Sequence, residues 1–332
     1  MKKTLFALFA LAALVSCTKD NILERNKEAI GFNNAFIENS VKSASDPSLT
    51  VNTLSDFAVY GFVEDATLFD GTQVSKTVTN GTTSWTYTGT QYWIAGANYN
   101  FHAVAPKTNG GWTKTSATKD AITLNFEDSN NNKSVDLLYA SANQQGQVSG
   151  NSAVAFTFRH ALSKVKFSFK NEYDASNAKI KITNIQITNA HKNASVTLDA
   201  NSISWSDHNG HILSLGFGDA SDNEATLDKE WGEGVKFEYG YTYESEHERL
   251  LIPGLETSYE VKFRVTIFIN DSEVKTYKHN TTVKFKPEAG KSYDIKAVIT
   301  PKNIDPAGEQ ERIEFTVNTL PGWGTTNNIP EN

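Results

Sequence analysis

Short runs in which apolar and polar side chains alternate recur along most of this chain, and that two-residue period restricts what it can fold into. Phe57-Ala58-Val59-Tyr60-Gly61-Phe62, Tyr99-Asn100-Phe101-His102-Ala103-Val104, Ala121-Ile122-Thr123-Leu124-Asn125-Phe126 and Val154-Ala155-Phe156-Thr157-Phe158 all follow it. A pleated strand puts every second Cβ on the same face, so each run reads as a strand with one buried face. The segments between them, such as Thr79-Asn80-Gly81-Thr82 and Thr108-Asn109-Gly110-Gly111, supply residues that tolerate positive φ and close tight turns.

The second half repeats the pattern. Val165, Phe167 and Phe169 point one way, and Lys164, Lys166, Ser168 and Lys170 the other, as in a strand with one wet side. Ile180 and Ile182 change parity to Ile185 and Ile187 across Thr183-Asn184, which predicts a bulge. Tyr259–Ile269 and Glu273–Phe285 flank Asn270-Asp271-Ser272, a predicted hairpin turn. No helical period extends beyond a turn or two. The expectation is an all-β chain of two antiparallel β-sandwich domains in tandem, divided between Gly146 and Lys164.

The N-terminus has a different character. Met1-Lys2-Lys3 is basic, Leu5–Val15 is apolar, and Leu14-Val15-Ser16-Cys17 closes the run with the only cysteine of the 332 residues. This is the form of a secretory signal that ends in a lipidation site. Eleven apolar residues fall short of the roughly 20 needed to span a bilayer. Residues 1–16 are therefore expected to be a signal peptide, Cys17 the acylated N-terminus, residues 17–28 a tether, residues 29–155 the first domain and residues 156–332 the second. Acylation of Cys17 leaves no thiol for a disulfide or a thiolate site, so packing alone must stabilise the exported chain.

Side-chain chemistry narrows the function classes. A net charge of -7 provides no Lys/Arg excess for phosphates, which argues against a nucleic-acid partner. Asp128–Asp136 begins like a calcium loop, but Lys133 takes the place of the turning glycine and Tyr139 that of the closing glutamate. Asp207-His208-Asn209-Gly210-His211 reads as a turn whose imidazoles splay apart rather than as a metal site. Glu244, Glu246 and Glu248 fall on one strand face, where mutual repulsion favours exposure. There is no nucleophile elbow and no phosphate-binding glycine loop, so neither an enzyme nor a cofactor or metal is expected. Trp85, Tyr87, Tyr92, Trp93 and Trp112 suit a sandwich core, with a sugar-stacking platform as the alternative.

An ordered series of short phrases resembles a known family. Tyr92-Trp93 before Gly96, Tyr99–Pro106, Asp136–Ala140 and Phe158–Val165 are followed by Leu251-Ile252-Pro253, Ala289–Tyr293 and Trp323, in the order seen in the fimbrillin (Mfa-like) proteins of Bacteroidales. The resemblance implies transthyretin-like β-sandwiches and a type V pilus component, exported as an outer-membrane lipoprotein and serving adhesion. In such pilins a protease cuts after the first strand, and the C-terminal strand of another subunit fills the vacated groove. Carried onto this sequence, the displaced strand is Ala29–Ile37, with Ile30, Phe32 and Phe36 as its apolar residues, and cleavage falls at Lys42, where arginine is usual. The donor strand is Glu311–Leu320, with Ile313, Phe315 and Val317 as its knobs. The implied partners are other pilin subunits, the outer membrane through the lipid, and a host or bacterial surface receptor. The competing expectation is a glycan-binding surface lipoprotein of a polysaccharide uptake system, with Trp85, Trp93 or Trp112 stacking on sugars.

Overall fold

A computed structural model describes residues 28–37, 48–50, 52–128, 135–218, 234–304, 311–321 and 323. The chain is almost entirely β, and its one helix among the described residues is the single turn Pro301–Ile304. In the first half, β1 (Phe32–Ile37), β2 (Asp56–Val63), β3 (Ala66–Thr79), β4 (Thr82–Thr86) and β5 (Asn98–Ala105) precede β6 (Trp112–Ala117), β7 (Ala121–Glu127), β8 (Leu138–Gln145) and β9 (Val154–His160). Seven of these close a barrel in the order β1-β4-β3-β2-β5-β8-β9. The domain boundary expected at residues 155–156 thus lies inside the barrel's last strand.

The second half contains β10 (Ser163–Asn171), β11 (Ala178–Ile187), β12 (Ala190–Asp199), β13 (Ile203–Ile212), β14 (Leu215–Gly216), β15 (Phe237–Glu238), β16 (Thr242–Glu244), β17 (Arg249–Leu251), β18 (Thr257–Ile269), β19 (Ser272–Phe285), β20 (Ser292–Ile299) and β21 (Phe315–Leu320). One sheet runs β16-β10-β20-β21 with β17 also on β10; a second runs β14-β11-β18-β19 with β15 on β11. They face each other across a core that includes Phe167, Phe169, Ile182, Phe263 and Ile295. The expected hairpin joins β18 to β19 through Asn270 and Asp271, both at positive φ, the geometry that matches strand twist. The expected bulge is a register shift between Thr183 and Gln186, with Asn184 at φ 55.

A further sheet, β13-β12-β7-β6, takes two strands from each half. Its inner residues Ile122, Leu124, Phe126, Val196 and Leu198 pack on the outside of the barrel, against Ala58, Tyr60, Phe62 and Tyr139. This corrects the single-faced reading of the runs Phe57–Phe62 and Tyr99–Val104. Phe57 and Val59 face the barrel interior while Ala58, Tyr60 and Phe62 face the third core, so β2 is buried on both sides. The near-continuous apolar run was the signal for it. Gly61 is small for the same reason: an added Cβ would stand 2.6 Å from the Phe69 ring.

The wet face expected on β10 is also only partly wet. Lys164 is buried and its Nζ lies 3.2 Å from Glu248, while Ser168 Oγ donates to Asp294 at 2.5 Å. Glu244, Glu246 and Glu248 do not share one strand face. Glu244 meets Lys166, Glu246 accepts from the Gly234 amide, and Glu248 meets Lys164, because the chain leaves β16 at Glu244 and re-enters the sheet at β17.

His279 on β19 stacks on Phe263 at 5.1 Å, and burial lowers its pKa from 6.5 to about 4. The unfolded chain therefore binds more protons at His279 between those values, and the stability linked to this residue is fully present above pH 6.5 and falls as pH drops toward 4. At 1.4 kcal/mol per pKa unit the loss is about 3 kcal/mol. Urea midpoints of wild type and His279→Phe, measured at pH 7 and 4.5, should show the variant losing less stability on acidification; equal losses would remove His279 from the account.

Candidate functional site

The barrel is closed by β1, and that strand's surroundings form the candidate site. On one side β1 runs parallel to β9, with Phe32 opposite Val154, Asn33 opposite Ala155, Phe36 opposite Thr157 and Ile37 opposite Phe158. On the other it meets β4 antiparallel at one described pair, Phe32 opposite Trp85. Beyond that pair the strands separate around a cavity of about 370 Å³, lined by Ala35, Phe36, Lys76, Thr83, Ser84 and Trp85 among others. The closure is asymmetric, firm toward β9 and narrow toward β4.

The residues leading into β1 are held by backbone and side-chain bonds. The Ile30 amide donates to Gln91 O at 2.8 Å, the Trp93 amide to Glu28 O at 3.0 Å, and the Val154 amide to Gly31 O at 2.8 Å. Tyr87 Oη donates to Ile30 O at 2.7 Å. Glu28 Oε2 accepts from both the backbone and side-chain amides of Asn151, which hold its carboxyl below the usual range.

The inward residues are Ile30, Phe32 and Ala35. Phe32 occupies the middle of an aromatic cluster: Tyr87 at 5.4 Å, Phe69 at 5.7 Å, Phe156 at 5.9 Å, Phe101 at 6.3 Å and Phe57 at 6.4 Å between ring centres. Such edge-to-face and offset pairs add to the burial of a large apolar surface. Phe36, expected as a third apolar residue of the strand, is instead 56% exposed. The register shift between Asn33 and Phe36 turns Ala35 inward in its place.

Cys17 and Lys42 lie outside the described residues. The chain is next described at Ser48, which is buried, and the Leu49 amide donates to Asp136 Oδ2 at 2.9 Å. That carboxylate also lies 2.8 Å from His160 Nδ1, with both side chains inaccessible to solvent. Trp323 stacks on the His160 ring at 4.3 Å, and Lys164 Nζ lies 5.3 Å from the Trp323 ring centre. Asp136, His160 and Trp323 fall within separate phrases of the family resemblance, but nothing in the one-dimensional pattern brings them together or joins them to Leu49.

The C-terminal strand β21 is the edge of its sheet, paired to β20 from Phe315 opposite Ala297 to Leu320 opposite Ser292. Ile313 is buried, Phe315 and Val317 are half-buried, and Phe315 packs on Phe167, Phe169 and Phe263. The knobs named from sequence thus sit in this chain's own sandwich.

The remaining sequence candidates separate cleanly. Asp207–His211 is not a turn but part of β13, and positive φ at Asp207 and Gly210 accommodates the shift opposite Asn193 and Ser195. His208 and His211 both flank His191 on β12, at 5.2 and 5.4 Å between ring centres. Burial, then the two neighbouring imidazoles, lower the pKa of His191. No group of three His, Cys, Asp or Glu among the described residues is arranged to hold a metal. Trp85 and Trp93 are buried in the barrel core. Trp112 is only partly buried and lines a surface cleft.

Residues 44–319 match the family model described as fimbrillin-like. A fimbrial protein from Bacteroides vulgatus has a similar fold, at 15% identity and a TM-score of 0.58 over 87% of this chain and 98% of the other. A protein from Bacteroides uniformis, provisionally described as a cell adhesion protein, aligns at 16% identity and a TM-score of 0.46 over 90% and 98%. The fimbrial anchor protein Mfa2 from Porphyromonas gingivalis aligns at 12% identity and a TM-score of 0.37 over 90% and 98%. No curated protein matches in sequence.

The aromatic cluster sets a stability prediction. Phe32→Ala should cost about 3 to 5 kcal/mol by urea denaturation, whereas Phe36→Ala should stay within about 0.5 kcal/mol of wild type. Equal losses at the two positions would contradict the assigned register.

Proposed function

The chain belongs to the fimbrillin-like family, and from that premise we propose that it is a surface-exposed fimbrial protein that serves adhesion and assembles by exchange of β1 for a strand of a second copy. It is exported as a lipoprotein on Cys17 and held at the outer membrane by that lipid until cleavage at Lys42 frees it. Its role is structural rather than catalytic. The observation that carries the reading is the position of Phe32, a single ring from the first strand in the centre of the barrel's aromatic core.

Loss of β1 would leave the edges of β4 and β9 without their partner and empty the space of Ile30, Phe32 and Ala35. Unpaired strand edges and an open apolar core are both costly, and one incoming strand repairs both. β21 supports the donor role because it is already an edge strand with alternating apolar residues, and Ile313, Phe315 and Val317 recur at the two-residue spacing that an inward face requires. Phe315 is the candidate to replace Phe32. A head-to-tail contact of this kind does not close on itself and yields a fibre.

Trypsin at limiting concentration, applied to the lipid-free precursor, tests the proposal. Release of the segment ending at Lys42 should be followed by ladders that resist sodium dodecyl sulfate. Lys42→Gln should block that cleavage, and Phe315→Ala should leave cleavage intact and weaken the ladders. Cleavage at Lys42 with no ladder at high protein concentration over days would defeat strand exchange.

A further inference from the structure

The outer face of the sheet shared by the two halves carries a cleft of about 700 Å³, within the range of small-ligand sites. Trp112, Asn109, Asn125, Glu127, Asn193 and Asn209 line it. Neither β1 nor β21 contributes to it, so its occupancy is independent of strand exchange.

Local structure fixes its walls. The Trp112 indole donates from Nε1 to Pro106 O at 2.8 Å, which sets the ring at the lip of the cleft. The turn before it needs both glycines: a Cβ at Gly110 would collide with Pro106 O and the Trp112 indole, and Gly111 has φ +67 with Glu127 O only 2.8 Å from where its Cβ would be. Strand pairing sets the floor, with Asn125 opposite Ser195 and Asn193 opposite Asn209. Ser195 Oγ donates to Asn125 Oδ1 at 3.2 Å, and Asn193 Nδ2 to Asn209 Oδ1 at 3.3 Å. The Asn125 amide nitrogen, the Asn193 amide oxygen and the whole Asn109 amide are left without a partner among the described residues. These groups offer both donors and acceptors.

Among the described residues, the cleft carries one unmatched ammonium. Glu127 pairs with Lys192 at 3.0 Å, and the Lys107 ammonium lies 5.1 Å from the Trp112 ring centre. A single ammonium on an aromatic ring does not make a phosphate or sulfate site. An indole beside several amides fits a ligand with apolar C–H faces and hydroxyls that donate and accept. We propose that this cleft binds a neutral saccharide, with one sugar ring against Trp112 in place of the Lys107 ammonium and its hydroxyls on Asn109, Asn125 and Asn193.

Signal-free protein, labelled and applied to a glycan array with neutral and sialylated oligosaccharides, identifies the ligand, and calorimetry with the strongest neutral binder then measures the variants. Trp112→Ala should weaken binding at least tenfold and Trp112→Phe less. Asn125→Ala and Asn193→Ala, at surface positions on the sheet, should each weaken it severalfold with an unchanged melting temperature, which separates lost contacts from lost folding. Absence of any neutral binder, a preference confined to acidic glycans, or binding indifferent to Asn125→Ala and Asn193→Ala would overturn the proposal. Trypsin-driven ladders are the separate readout for strand exchange, so either idea can fail alone.

Discussion

One strand closes the barrel, and the first half of the molecule is organised around it. Among the described residues, β1 lies parallel to β9 along four residue pairs and touches β4 at one. A seven-stranded closed sheet removes exposed edges only while its last member is present. Phe32 adds a packing role to that pairing role, because five aromatic rings lie around it. A strand that completes both the hydrogen-bond ladder and the core can be replaced only by another strand with a comparable inward residue. The proposed exchange requires this property, and Phe315 is the residue of β21 proposed to supply it.

The shared sheet explains why the two halves cannot be treated as beads on a string. β7 pairs with β12 on one side and with β6 on the other, and the layer they form covers the barrel's outer face. Trp323 belongs to that third core, stacked on His160, which is held by Asp136. The residue three positions after β21 is thus fixed between the halves. Before β21 can be donated, Trp323 must leave an apolar site and Phe315 must leave Phe167, Phe169 and Phe263. Burial of two large aromatic rings opposes spontaneous exchange, so the apolar surface that β21 buries in the vacated slot must exceed what it uncovers in its own sandwich.

Much of the fold was legible in residue periodicity. The β18–β19 hairpin was visible in Asn270-Asp271, and the bulge in the parity change from Ile182 to Ile185. What periodicity concealed was partnership. The apolar run Phe57–Phe62 hinted at a second buried face on β2, but the sheet that covers it comes from residues more than 50 positions away, so the run alone did not name the partner of Ala58 and Tyr60. Phe36 was grouped with Ile30 and Phe32 as an apolar residue of the first strand, yet a register shift sent it out, and Asp207–His211 had the composition of a turn but continues a strand. The site divides the same way: Ile30 and Phe32 were identifiable as apolar strand residues, whereas the Asn125–Ser195 and Asn193–Asn209 pairs exist only through cross-strand register.

The central claim is that the slot of β1 accepts the C-terminal strand. It is tested most directly by cleaving the folded precursor at Lys42, removing the released segment, and adding synthetic peptides. A peptide of residues 28–42 should restore the melting temperature of the precursor, which establishes that the slot is intact. A peptide of residues 311–323 should then raise the melting temperature and shift the amide resonances of Val154 and Phe158, and a Phe315→Ala version should do so more weakly. Recovery with the first peptide and no response to the second, at any concentration that saturates the first, would contradict the account.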